Sequence, residues 1–274
     1  MNDLIKILQG NCLDKIKELD DNSIDCVISS PPYFGLRDYG VDGQFGLEKT
    51  YQDYIANTVK VFETFKPKLK DTATIWWNVG DNYKDKNLLM IPNRVAIALQ
   101  EAGWYIRSEI IWQKPNAMPE SVRDRPTSCH EKIWLITKNK KYYYDADAIK
   151  EDAAWDKWGK QTNPKGTQGK ANLFKEISRK EIIALGKGKR NKRNVWTINT
   201  KPFKDAHFAT FPKNLIEPCV KAGCPEGGVV LDPFGGAGTT GIVAALNNRK
   251  SIIIELNQDY IQIFKKRIND EQIY

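Results

Sequence analysis

Apolar positions along the chain follow two rhythms. Compact apolar or alternating runs read as strands at Leu4–Leu8, Ile24–Ile28, Thr72–Val79, Trp104–Trp112, His130–Ile136, Val229–Asp232 and Ser251–Glu255. Between them, apolar residues recur at helical spacing. Tyr51, Tyr54, Ile55, Val59, Phe62 and Phe65 form one such face, ended by Pro67, and their aromatics read as core rather than as a stacking platform. Pro92–Ala102 is a second helix stopped by Gly103, Lys213–Ala222 a third, and Tyr260, Ile261, Phe264 and Ile268 mark a terminal one. Leu13–Leu19 is a shorter helix. Strands alternating with helices predict an α/β fold: a mostly parallel, doubly wound, seven-stranded sheet with helices on both faces. Trp104–Trp112 and His130–Ile136 would form an antiparallel hairpin at its edge.

Two strand ends carry chemistry. Val229–Asp232 runs into Pro233-Phe234-Gly235-Gly236-Ala237-Gly238-Thr239-Thr240, a strand, a tight glycine-rich loop and a helix start. Such a loop lets backbone approach a ligand, with helix N–H groups facing a negative or polar group. It also serves simply to pack a helix on a strand, so alone it is weak evidence. The absence of Gly-Lys-Ser/Thr excludes a triphosphate-binding loop. The next strand ends in Glu255, a carboxylate suited to ribose hydroxyls.

Far upstream, Ile24–Ile28 leads into Ser30-Pro31-Pro32-Tyr33. Consecutive prolines fix an extended turn whose carbonyls lack local donors. Those carbonyls and the Ser30 hydroxyl can accept hydrogens from an amino group, and Tyr33 offers a flat face, which together suit a nucleobase. A buried Pro-Pro-Tyr corner is the alternative. Phe34–Gly46 is glycine-broken and aromatic, either a loop that closes over substrate or an ordinary surface loop.

Composition narrows the setting. The 274 residues are 41% hydrophobic and 28% charged, fitting one large domain with room for an inserted lobe. No run approaches the ~20 apolar residues of a membrane helix, and Met1-Asn-Asp-Leu-Ile-Lys6 lacks a signal-peptide pattern. Five cysteines without metal spacing suit a reducing cytoplasm. His207 has no ligand-spaced partner, so no metal site is expected. The net charge of +8 points to an anionic partner. Its source is local: Lys150–Lys204 holds 15 basic and 5 acidic residues, a surplus larger than that of the whole chain. This segment fits an arm that grips DNA phosphates. A solvated charge run is the competing reading, although Trp155, Trp158 and Trp196 argue against plain disorder.

Taken together, the Ser30–Tyr33 and Asp232–Thr240 motifs resemble those of the amino-methylating DNA methyltransferases, and the resemblance covers nearly the whole chain. The target motif precedes the cofactor motif, with the basic segment between them. That order resembles the beta class, in which the Rossmann-like sheet is circularly permuted and the strands bearing Ser30 and Asp232 become neighbours.

The resemblance implies S-adenosyl-L-methionine as cofactor and double-stranded DNA as partner, with a restriction endonuclease and a homodimer as further family associations. It implies catalytic roles for Ser30, Pro31, Pro32 and Tyr33. Cofactor contacts would come from Asn11, Cys12, Ser30, His207, Phe211, Asp232, Pro233, Phe234, Gly235, Gly236, Gly238, Thr239, Thr240, Glu255 and Leu256. Asn11 departs from the acid that relatives commonly carry after the glycine. Residues 1–149 and 201–274 would form the catalytic domain and 150–200 an inserted target-recognition region. DNA would be met by Arg37, Lys114, Arg123, Arg125, Lys187, Lys189, Arg190, Lys192 and Arg193.

Ser30 and the Pro31 carbonyl would accept the amine hydrogens while Tyr33 stacks on an extruded base. No cysteine nucleophile is needed, and Cys219 reads as structural. In the family, serine at the first motif position leans toward cytosine N4 and aspartate toward adenine N6. Cytosine is therefore the expected target and adenine the alternative. An RNA or protein amine methyltransferase, or a non-catalytic DNA-binding module, are the readings the intact motifs and basic insert oppose.

Overall fold

All six residues of Ile24–Ser29 are buried, so this strand must lie inside a sheet covered on both faces. The computed structural model describes residues 4–152, 189–200 and 211–273. They fall into two compact units, Met1–Asp145 with Asn194–Tyr274, and Ala146–Arg193.

The larger unit contains strands β1 (Ile5–Gln9), β2 (Ile24–Ser29), β3 (Leu69–Val79), β4 (Tyr105–Gln113), β5 (His130–Thr137), β6 (Val195–Thr197), β7 (Val229–Asp232) and β8 (Lys250–Glu255). Its main helices are α1 (Cys12–Lys17), α2 (Tyr51–Phe65), α3 (Ile91–Glu101), α4 (Lys213–Gly223), α5 (Thr239–Leu246) and α6 (Gln258–Asp270). The strands form one sheet in the order β1-β8-β7-β2-β3-β5-β4-β6. β5 alone runs against its neighbours β3 and β4. The two C-terminal strands sit between the first and second, so β7 lies beside β2.

The expected seven strands are joined by an eighth. Val195–Thr197 pairs in parallel with Ile111–Gln113, so the β4–β5 hairpin lies inside the edge rather than at it. Three residues are too few to show a period, but β4 would otherwise leave a ladder of backbone groups open. The same pairing puts residues 194–200 in the larger unit, so the smaller unit ends earlier than the expected 150–200 insertion. Within that unit, among the described residues, Glu151–Asp152 pairs antiparallel with Lys189–Arg190.

Side-chain alternation along β3 divides the layers. Ile75, Trp77 and Val79 join the core beneath α1, α2 and α3. Phe62 of α2 meets Trp77 at 4.9 Å and Trp104 at 5.3 Å between ring centroids. Trp76 faces the other way, toward Tyr144 and Trp196. α2 starts at Thr50, whose Oγ accepts from the Asp53 N–H at 3.1 Å.

On the opposite face α6 clamps the glycine-rich loop. Arg267 donates to the Ala237 carbonyl and the Thr239 hydroxyl. Gly238, at φ 76°, caps α5 so close to Phe264 that a Cβ there would lie 1.9 Å from the ring. Gly238→Ala therefore combines a left-handed backbone with overpacking, and is expected to cost about 3 kcal/mol. Urea unfolding of the two proteins measures it.

Candidate active site

β2 and β7 are paired in register, Cys26 with Val230 and Val27 with Leu231, so their carboxyl ends emerge side by side. One carboxylate fastens them. Asp232 is buried and accepts from Ser29 Oγ at 2.6 Å, Thr240 Oγ at 2.7 Å and the Phe234 N–H at 3.1 Å. Burial pushes its pKa up to about 6 against the opposing pull of these donors. The proposed cofactor acid is thus a tie between β2, the loop and α5, and it does not line the cavity beyond the strand ends.

That cavity, of about 510 Å³, lies where an open α/β sheet binds ligands. At one end stand Asn11, Cys12, Pro233, Phe234, Gly235, Gly236, Thr239, Glu255 and Leu256. The Glu255 carboxylate is held by the N–H groups of Gly236 and Asn257, each at 2.7 Å, and burial raises its pKa. Gly235 N–H donates to the Ile254 carbonyl and Gly238 N–H to that of Gly235. With Phe234 donating to Asp232 and Gly236 to Glu255, four N–H groups of this loop are engaged by the strand ends and the loop itself. Asn11 caps α1, its Oδ1 accepting from the Leu13 N–H at 2.9 Å. Burial raises the Cys12 thiol to about 12, which leaves no thiolate nucleophile there.

At the other end Ser30, Pro31, Pro32 and Tyr33 line the wall. The Pro32 carbonyl accepts from Tyr54 Oη at 3.1 Å, while among the described residues that of Pro31 accepts no hydrogen bond. Tyr33 Oη donates to Glu131 Oε2 at 2.6 Å, accepts from Asn78 Nδ2 at 2.7 Å and lies 3.1 Å from Ser30 Oγ. Burial and the adjacent Glu131 carboxylate hold the phenol well above its ordinary pKa. The ring passes over Gly80, where a Cβ would lie 2.5 Å from it. Phe34–Gly46 folds against this end, with Phe45 packed on Tyr54 and Phe234. Leu36, Arg37, Tyr39, Gln44 and Phe45 of that loop enter the cavity wall.

Of the other expected residues, Phe211 lines the cavity, whereas Gly238 and Thr240 support it from behind. His207 and Lys187 lie outside the described residues. Lys114 is in the wall, bonded to Glu131 and 4.8 Å above the Trp112 ring, rather than on an outer surface. Arg125 pairs with Glu120 and covers the Tyr83 ring at 3.9 Å, while Arg123 is exposed. In the smaller unit Lys189 pairs with Asp152, and Arg190 and Arg193 pair with Glu151. Cys219 is buried in α4, away from the cavity, with its thiol on the Leu215 carbonyl.

Asn78, Glu131 and Lys114 form one group beside Tyr33, which no local spacing of residues marks. Its one local trace in the sequence is a lone amide in the apolar run Ile75–Val79. Among the described residues no cluster of three metal-ligand side chains occurs, and no helix is long and apolar enough to cross a membrane.

The chain belongs to the DNA methylase family of N6/N4 type, whose sequence profile matches residues 24–266. It is 41% identical to the type II methyltransferase M.SmaI of Serratia marcescens, over 96% of this chain and 90% of that protein. It is 40% identical to M.Cfr9I of Citrobacter freundii, over 97% and 88% of the two chains. Among solved structures, the cytosine-N4-specific PvuII DNA methyltransferase superposes with a TM-score of 0.70 at 19% identity, covering 99% of this chain and 92% of that one. A putative DNA modification methylase from Thermus thermophilus, complexed with S-adenosyl-L-methionine, gives 0.65 at 22% identity, covering 97% and 95%.

The raised pKa of Asp232 has a definite sign. A folded value of about 6 against an ordinary 3.8 means stability from proton binding that is complete below the lower value and lost as pH rises through the upper. Asp232→Asn carries no such dependence. Its stability relative to the parent should improve by up to about 3 kcal/mol between pH 3.5 and pH 7. Paired urea titrations at the two pH values check this.

Proposed function

We propose that this chain methylates the exocyclic amine of a base in double-stranded DNA, with cytosine N4 as target and S-adenosyl-L-methionine as donor. The observation carrying the reading is a single cavity with Glu255 at one end and the Ser30–Tyr33 turn at the other. The residues fit the cofactor. Glu255 supplies the ribose acceptor at a strand end, Phe45, Phe234 and Leu256 an apolar wall, and Asn11 an amide at the rim. When bound, S-adenosyl-L-methionine supplies an electrophilic methyl group.

The protein's part is alignment and charge. An exocyclic amine is a poor nucleophile because its lone pair is delocalised into the ring. The Pro31 carbonyl and Ser30 Oγ accept its two hydrogens, which favours a tetrahedral nitrogen with its lone pair free for reaction. The Pro32 carbonyl is held by Tyr54 and keeps the turn in place. A serine at the first position and the cytosine-N4-specific structural neighbour both favour cytosine over adenine. The basic residues of 150–204 act as phosphate contacts of an inserted recognition region. A restriction–modification setting, with a cognate endonuclease as partner, suits relatives that are type II methyltransferases.

Mixed-sequence duplex DNA incubated with labelled cofactor and digested to nucleosides should yield N4-methylcytosine. N6-methyladenine would reassign the base, and no methylated nucleoside would sink the reading. Gly80→Ala, which intrudes on the Tyr33 ring, should lower the single-turnover rate about 100-fold with cofactor affinity retained. Calorimetric binding beside quench-flow kinetics separates the two effects.

A further inference from the structure

The hydrogen bonds around Tyr33 have a direction that counting their hydrogens fixes. The phenol has one hydrogen, and it goes to Glu131 Oε2 at 2.6 Å. The 3.1 Å contact between Ser30 Oγ and Tyr33 Oη must then be donated by Ser30. Asn78 Nδ2 has two hydrogens and three acceptors: Tyr33 Oη at 2.7 Å, Glu131 Oε2 at 2.8 Å and Ser30 Oγ at 3.2 Å. The two shorter contacts take both. Reversing the amide would set its oxygen against the Glu131 carboxylate, so the nitrogen belongs where it is. Ser30 Oγ, its own hydrogen committed inward, is left with lone pairs for a substrate on the cavity side.

We propose that Ser30, Tyr33 and Glu131 form a proton relay that drains the amino nitrogen, with Glu131 as terminal acceptor. The inference deepens the methyltransferase reading and rests on it. A nitrogen that has gained a methyl group carries a positive charge and must lose one proton. Ser30 Oγ takes that proton as its own hydrogen passes to Tyr33 Oη, and the Tyr33 hydrogen passes to Glu131 Oε2. Each oxygen gains one O–H bond and gives one up, except Glu131, which ends as the carboxylic acid. The proton leaves the carboxyl for water after product departs.

Other groups in reach do not serve as the end of the chain. Asn78 is an amide. Asp232 is enclosed by Ser29, Thr240 and the Phe234 N–H and lies off the cavity. Lys114 is already a cation, and its ion pair with Glu131 offsets the negative charge placed against the phenol. Glu131 acts through Tyr33 and Ser30, so it is a positioning and proton-accepting residue behind the one that touches substrate.

The test uses the full chain and three variants: Glu131→Gln, Tyr33→Phe and the two combined. Glutamine can still accept from the phenol but cannot receive a proton at neutral pH, so a merely structural role would survive it. Each single variant should lower the single-turnover methylation rate about 100-fold. The combined variant should be no slower than either, because both break one chain. Cofactor affinity should stay at the parent level. The parent should be slower in D₂O, and Tyr33→Phe should lose that sensitivity.

Independently of turnover, ultraviolet titration should show one tyrosine ionising at lower pH in Glu131→Gln than in the parent. A Glu131→Gln rate near the parent's, multiplying losses in the combined variant, or an unchanged tyrosine titration would each overturn the relay. A parent that methylates no base would instead overturn the methyltransferase reading, while the tyrosine titration would still report the contact.

Discussion

A carboxylate with three donors and almost no access to water holds this site together. Asp232 joins Ser29 at the end of β2, Thr240 at the start of α5 and the backbone of the loop between. Two motifs separated by some two hundred positions in the chain are thereby held at one rim of the sheet. Burying a carboxylate is costly unless it is well bonded, and the raised pKa is the residue of that cost. The loop below it is similarly self-contained. The N–H groups of Phe234, Gly235, Gly236 and Gly238 go to Asp232, the Ile254 carbonyl, Glu255 and the Gly235 carbonyl, and Arg267 of α6 grips the loop from behind. Beside the loop, the cavity presents the Glu255 carboxylate to a ligand.

The opposite end of the cavity works by directed hydrogen bonds. Glu131 receives the phenol hydrogen, Asn78 and Ser30 feed the phenol oxygen, and Lys114 balances the charge. The direction of the chain follows from the single phenol hydrogen, which goes to Glu131 and leaves the phenol oxygen to accept from its other two neighbours. Tyr54 reaches the Pro32 carbonyl from the other side, and Gly80 makes room for the Tyr33 ring. The tetrapeptide is rigid by its prolines and aimed by its neighbours.

Charge reads differently in the structure than in the sequence. The surplus of basic residues lies in the insertion, yet those described there are partly balanced by Glu151 and Asp152. Lys114, expected among the DNA contacts, faces inward to a carboxylate. A lysine's position in a polar stretch says it is near water. Which anion it meets depends on the strand opposite.

The sequence by itself determined the strand–helix alternation, the glycine loop, the Ser30–Tyr33 turn and the Glu255 strand end, because each is a local pattern within a few residues. Tertiary structure decided the rest. Val195–Thr197 became a strand through pairing with β4, and Asp232 became a tie rather than a wall through burial. Glu131 reached Tyr33 because β5 runs antiparallel to its neighbours, which brings its first residues to the rim where the parallel strands end. Strand direction and order arise from long-range hydrogen bonding, to which no local spacing of residues refers.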